Sequence, residues 1–131
     1  MNRPVEQVHP RIPFALTAMV VATLGLFSRM PFLHLPLFWG DVLWACMVYA
    51  LIGALAPRCR MDRRTLVAWG LCMLIECSQL VRVPWLDALR ATALGHLLLG
   101  STFVFGDLLC YTLGVGCMRA GEGCMRKRGE R

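Results

Sequence analysis

Charged residues are scarce in this sequence. Only 17% of its 131 residues are Asp, Glu, Lys or Arg, against about 25% in soluble domains. A soluble domain this small keeps a large fraction of its surface wet, and too few wettable residues are available to cover it. Hydrophobic residues instead make up 57% of the chain, so the surplus must meet lipid or a partner. Period-2 alternation is missing from every apolar stretch, which argues against a membrane barrel. The seven cysteines, Cys46, Cys59, Cys72, Cys77, Cys110, Cys117 and Cys124, contain no CxxC or metal-type spacing, so neither a zinc site nor a disulfide framework is expected. Enzyme signatures are also lacking: no G-x-S-x-G elbow, H-E-x-x-H, P-loop or dinucleotide fingerprint. No cofactor is implied. The net charge of +6 could suggest nucleic acid, but the basic residues sit at the ends of apolar runs without aromatic interleaving, so nucleic acid is not an expected partner.

What is present is four long apolar runs. They extend from Ile12 to Phe27, Leu37 to Ala56, Thr65 to Val81 and Ala91 to Met118. A helix needs about 20 residues to cross the hydrocarbon core, and helices satisfy every backbone group there. The expected fold is an all-α integral membrane protein, a four-transmembrane-helix bundle in one domain. Its helices are expected at about 12–30, 37–56, 65–82 and 89–118, with a basic tail over 119–131. The lipid bilayer is the expected partner. A secretory signal peptide is the competing reading of the first run. Glu6, Pro10 and Pro13 in the leader, and the want of an A-x-A site after it, favour a retained helix.

The distribution of basic residues orients the spans. The N-terminal segment carries Arg3 and Arg11, and the loop between runs two and three carries Arg58, Arg60, Arg63 and Arg64. The C-terminal segment adds Arg119, Arg126, Lys127, Arg128 and Arg131. With four spans these segments share one side and hold 11 of the 14 basic residues. The positive-inside rule then puts both termini in the cytoplasm of a bacterial inner-membrane protein. Trp39, Trp44 and Trp85 map to the opposite boundary, as in an aromatic belt.

Polar residues at membrane depth are costly and tend to be paired or functional. On this topology Arg29, Asp41, Glu76, Gln79, Arg90 and His96 gather at similar depth near the periplasmic side, with Asp107 deeper and Tyr111 one turn beyond it. Trp69, Cys72, Glu76 and Gln79 step by three or four and share a helix face. Thr92, His96, Gly100, Phe103, Asp107, Tyr111 and Gly114 are expected to form a second such stripe, with Gly100 and Gly114 allowing close helix approach. Structural pairs Arg29–Asp41 and Glu76–Arg90 are one reading of the cluster; a headgroup-binding or proton-relaying site is the other. Asp107 has no obvious cationic partner in sequence, which would favour its neutral form. A metal site from Asp41, Glu76, His96 and Asp107 lacks ligand spacing of three or four.

The segments SR (28–29), GDVLWACMVYAL (40–51), IECSQLVRVPWLDALRATALGHLLLG (75–100) and DLLCYTLG (107–114) resemble the bacterial membrane family called domain of unknown function 2809. The resemblance spans roughly residues 16 to 116. Glu76 through Gly100 is its specific part, with E-x-x-Q-L, PWLDALR and GHLLLG in order. It implicates Arg29, Gly40, Asp41, Glu76, Gln79, Arg90, Gly95, Gly100, Asp107 and Tyr111, and assigns no activity. Val81-Arg82-Val83 departs from the pattern, where a more aromatic and less charged connection is expected. A fainter likeness to VanZ-like proteins implies action at the cell envelope. The expected function is therefore an uncharacterised membrane protein with a periplasm-facing polar cluster. Envelope-related binding or transport is the alternative. A membrane enzyme would need a nucleophile or metal the sequence does not show. The interior of 131 residues is small, so a transport path would require a homo-oligomer.

Overall fold

The long apolar runs fold as helices, and the Thr92 cap and Gly100 mark where the last of them breaks. The computed structural model describes residues 11–28, 30, 36 and 38–129. The leader over 1–10, Arg29, Leu37 and Arg131, invoked above, lie outside the described residues. Six helices follow in order: α1 (Arg11–Ser28), α2 (Phe38–Leu55), α3 (Met61–Ser78), α4 (Pro84–Arg90), α5 (Ala93–Leu99) and α6 (Phe105–Gly129). No strand occurs among the described residues, whose regular structure is all helical. In α1, Pro13 sits in the first turn, where amides have no intrahelical acceptor to lose. Thr17 and Thr23 donate to the carbonyls of Pro13 and Met19, hiding their hydroxyls against their own helix.

The single helix expected over 89–118 is not formed. Pro84 starts α4 at its first turn, and extended Thr92 caps α5 by accepting the Gly95 amide at 3.0 Å. Gly100 then ends α5 at φ 63°, ψ −174°, a conformation open essentially to glycine alone. The stripe expected from Thr92 to Gly114 is thereby divided, and Gly100 ends α5 instead of lying within a helix. At the other end, α6 runs on to Gly129, so residues 119–129 extend the helix.

Four long helices alternate in direction. Residue Phe14 of α1 faces Gly53 of α2, and Gly25 faces Leu43, an antiparallel pair. Antiparallel α3 and α6 are joined by Asp62–Arg119 near one end and Glu76–Tyr111 near the other. By contrast α2 and α6 run parallel, Cys46 donating to the Gly114 carbonyl and Tyr49 to Glu122. Gly114 permits that crossing: a Cβ there would collide with the Val42 carbonyl and come within 2.9 Å of the Ala45 Cβ. The core lies among α2, α3 and α6, built from Ala45, Val48, Tyr49, Ala68, Cys72, Tyr111 and Val115.

Polarity is distributed against the habit of soluble proteins, where large charged residues are almost never fully buried unless paired. The largest fully buried side chains include Arg64, Tyr49 and Glu76, while Leu16, Met19, Leu24, Leu66, Leu74 and Leu109 are exposed. Two described helices, α1 and α2, are long and apolar enough to cross a bilayer. Only 6% of the α1 span is buried, against 33% for α2.

Candidate functional site

The N-terminal ends of α2 and α6 and the C-terminal end of α3 converge under the α5–α6 connection. Between them lies a cavity of about 550 Å³. Its lining includes Asp41, Gln79, His96, Asp107 and Tyr111, five of the eight residues expected in a polar cluster. Glu76 lies behind this wall, with none of its surface exposed.

Glu76 organises the wall by accepting three hydrogen bonds. Its Oε2 accepts from Tyr111 Oη at 3.0 Å and from Gln79 Nε2 at 3.2 Å, and its Oε1 accepts from the Val104 amide at 2.8 Å. Three donors around one buried carboxylate satisfy the lone pairs that burial strips of water. The Val104 bond fixes the segment between α5 and α6, so the break in the last apolar run is tied to α3 by Glu76. The i, i+3 spacing of Glu76 and Gln79 puts both on one face of α3. Cys72 of the expected stripe is buried with them, whereas Trp69 is 42% exposed and donates to Thr112 Oγ1 at 3.1 Å.

Gln79 is 6% exposed. Its amide orientation follows from the bond to Glu76, since only the NH2 group can donate to a carboxylate. That leaves the buried Oε1 without a partner. Against the same amide sits Gly100, where a Cβ would approach Nε2 to 2.6 Å. Close packing and a left-handed backbone both demand glycine there.

Arg90 does not pair with Glu76, contrary to expectation. It is 4% exposed, and its guanidinium donates to the carbonyls of Ser78 at 2.6 Å and Val81 at 3.0 Å, and to Asp87 at 3.3 Å. A helix end leaves carbonyls without amide partners, and an arginine arriving from the next helix satisfies them. Arg90 is thus a cap on the end of α3 and not a wall of the cavity. Asp107 is not isolated either: both it and Asp41 engage in polar interactions. The expected partner of Asp41, Arg29, lies outside the described residues. Among the described residues no group of three His, Cys, Asp or Glu side chains is placed to hold a metal ion.

A second polar node at the opposite end of the bundle escaped the sequence reading. Arg64 is 2% exposed and donates to Glu122 at 2.6 Å and to the Cys59 carbonyl at 3.0 Å. Tyr49 Oη donates to the same Glu122 oxygen at 2.6 Å. The guanidinium lies 4.4 Å from the centre of the Phe14 ring, a cation–π contact reaching α1. Alongside, Arg119 donates to Asp62 at 2.6 Å. The available signal was an acid in a basic stretch: Asp62 lies among Arg58, Arg60, Arg63 and Arg64, and Glu122 lies between Arg119 and Arg126. Each such acid meets a base of the other helix.

The family model described as protein of unknown function (DUF2809) matches residues 34–115. This region holds α2 through the first half of α6 and includes Asp41, Glu76, Gln79, Arg90, His96, Asp107 and Tyr111. Arg64 falls inside it and Glu122 beyond it. No solved structure matches the chain. With more than half its length matched, this chain belongs to the DUF2809 family.

Proposed function

We propose that this chain is a multi-pass protein of the bacterial inner membrane, with both termini cytoplasmic and a periplasm-facing cavity that binds a small polar molecule or lipid headgroup. The observation that carries this reading is the inversion of polarity. Arg64 and Glu76 are enclosed while leucines and methionines cover the outside of the helices, an arrangement suited to a hydrocarbon solvent. The 18 residues of α1 and of α2 give lengths of about 27 Å, close to the ~30 Å hydrocarbon thickness. Helices α3 and α6 complete a four-span bundle, their end charges paired with one another. Asp41, Gln79, His96 and Asp107 then face a cavity at the end remote from the arginine-rich loop. Such a concave, partly apolar space with a few convergent polar groups is the usual form of a ligand site.

His96 is exposed and lines the cavity, so it reports which side the cavity faces. In a cysteine-free background, His96→Cys should be labelled in intact cells by a maleimide that cannot cross the inner membrane. Labelling only after permeabilisation would overturn the periplasmic assignment. Release of the chain from membranes by alkaline carbonate would overturn membrane insertion.

A further inference from the structure

Two concavities share one wall. The polar cavity has Trp44, Leu97 and Leu98 in common with a smaller groove of about 140 Å³ formed by α1, α2 and α5. The groove is otherwise lined by apolar groups such as Val21, Gly25 and Met47. The larger space carries several polar groups on an otherwise apolar wall; the adjoining one is almost wholly apolar.

We infer that the two spaces bind one amphiphile, a glycolipid whose hydroxyl-rich sugar occupies the cavity and whose chain enters the groove. The inference rests on the cavity being a ligand site, as proposed above, and deepens it to a substrate class. The cavity volume falls within the range of about 300–1,000 Å³ typical of small-molecule sites. Its polar lining combines carboxylates of Asp41 and Asp107, the Gln79 amide, the His96 imidazole and the hydroxyls of Ser101 and Thr102. Sugar hydroxyls both donate and accept, and match such a mixed set. Among the described lining residues there is no Lys or Arg to pair a phosphate. Phe38 and Trp44, also in the lining, add apolar surface that the C–H groups of a sugar can contact. A free sugar would leave the groove unused. A hydrocarbon chain fills it without burying any polar group.

The test uses Trp44, which lines both spaces. Purified protein in phosphatidylcholine nanodiscs is titrated with glucosyl diacylglycerol carrying brominated acyl chains, since bromine quenches a tryptophan it touches. Subtracting the Trp44→Phe signal removes the contributions of Trp39, Trp69 and Trp85. We expect saturable quenching at a mole fraction at least about fivefold lower than for brominated phosphatidylcholine or diacylglycerol, a gap of about 1 kcal/mol. Filling the groove by Gly25→Leu, or independently by Ala22→Leu, should raise the half-saturation point by a similar factor. A Cβ at Gly25 would meet only the Leu43 Cβ at 3.7 Å, so Gly25→Ala is the control for folding. Equal quenching by all three brominated lipids overturns the inference. Methyl glucoside binding that is lost in Asp107→Leu, with glycolipid quenching indifferent to the groove variants, overturns the inference and leaves the proposed cavity site standing. Binding of neither glucoside nor glycolipid overturns the glycolipid while the maleimide result separately decides the cavity's exposure.

Discussion

Glu76 accepts three hydrogen bonds with none of its surface exposed. Replacement by Ala strands three donors, one of them the buried Tyr111 hydroxyl. Each buried donor left unsatisfied costs about 1–3 kcal/mol, so Glu76→Ala should lose about 3–5 kcal/mol in denaturant unfolding of the detergent-purified protein. Glu76→Gln keeps one carbonyl acceptor and should lose clearly less. A loss below about 1 kcal/mol for the alanine variant would show that water or another acceptor replaces the carboxylate. Gly100 carries a constraint of a different kind. Its left-handed backbone and contact with the Gln79 amide predict that Gly100→Ala costs about 1–3 kcal/mol. Infrared or NMR signals of the Gln79 amide should move in the same variant. An unchanged stability would mean that the α5–α6 connection readily takes another course.

Among the elements, the α3–α6 pair is fastened at both ends, by Glu76 with Tyr111 and Val104 at one and by Arg64 with Glu122 at the other. Truncating one member of a buried pair costs about 3–5 kcal/mol, whereas replacing both by apolar groups is often neutral. Arg64 is enclosed while Glu122 is 24% exposed, so Glu122→Ala should destabilise by less than a fully buried pair would, and Arg64→Met with Glu122→Leu should recover most of the loss. If the double variant is no better than the single, the carbonyl bonds from Arg64 to Cys59 and Pro57 matter more than the ion pair. Deleting residues after Met118 should reproduce the Glu122 phenotype, because the deleted stretch is the last part of α6. A deletion with no effect on unfolding would return it to the status of a tail. The last apolar run shows how far local pattern reaches. Thr92, His96 and Gly100 have helical spacing, and apolarity continues through the break, so periodicity alone favoured one helix. The backbone departs at Gly100, a residue equally at home in membrane helices and at helix ends. Val104, which holds the break through Glu76, carries no polar side chain to announce it.

For the whole molecule, alternation of α1, α2, α3 and α6 predicts which segments share a side. A reporter fused after Arg131 or inserted after Arg58 should read cytoplasm, and one inserted before Pro84 should read periplasm. A periplasmic C-terminus would overturn the four-span reading and the facing of the cavity together. Some of this architecture follows from the sequence by itself. Apolar runs without alternation determined the helical class and located α1, α2 and α3 to within about four residues, but not the breaks that separate α4, α5 and α6. Three-residue spacing determined that Glu76 and Gln79 share a face. A spacing of two residues would have put them about 200° apart, on opposite faces, and such angular information is local. Partners are a different matter. Arg90 could reach Glu76 on paper but instead caps the carbonyls of Ser78 and Val81. Arg64 was one of four loop arginines until α6 brought Glu122 against it. Spacing along a helix sets where a side chain points, but which group it meets depends on helix crossings, on the close approach at Gly114 and on the helix end at Gly100. Those are contacts between residues far apart in the chain, and tertiary structure alone decided them.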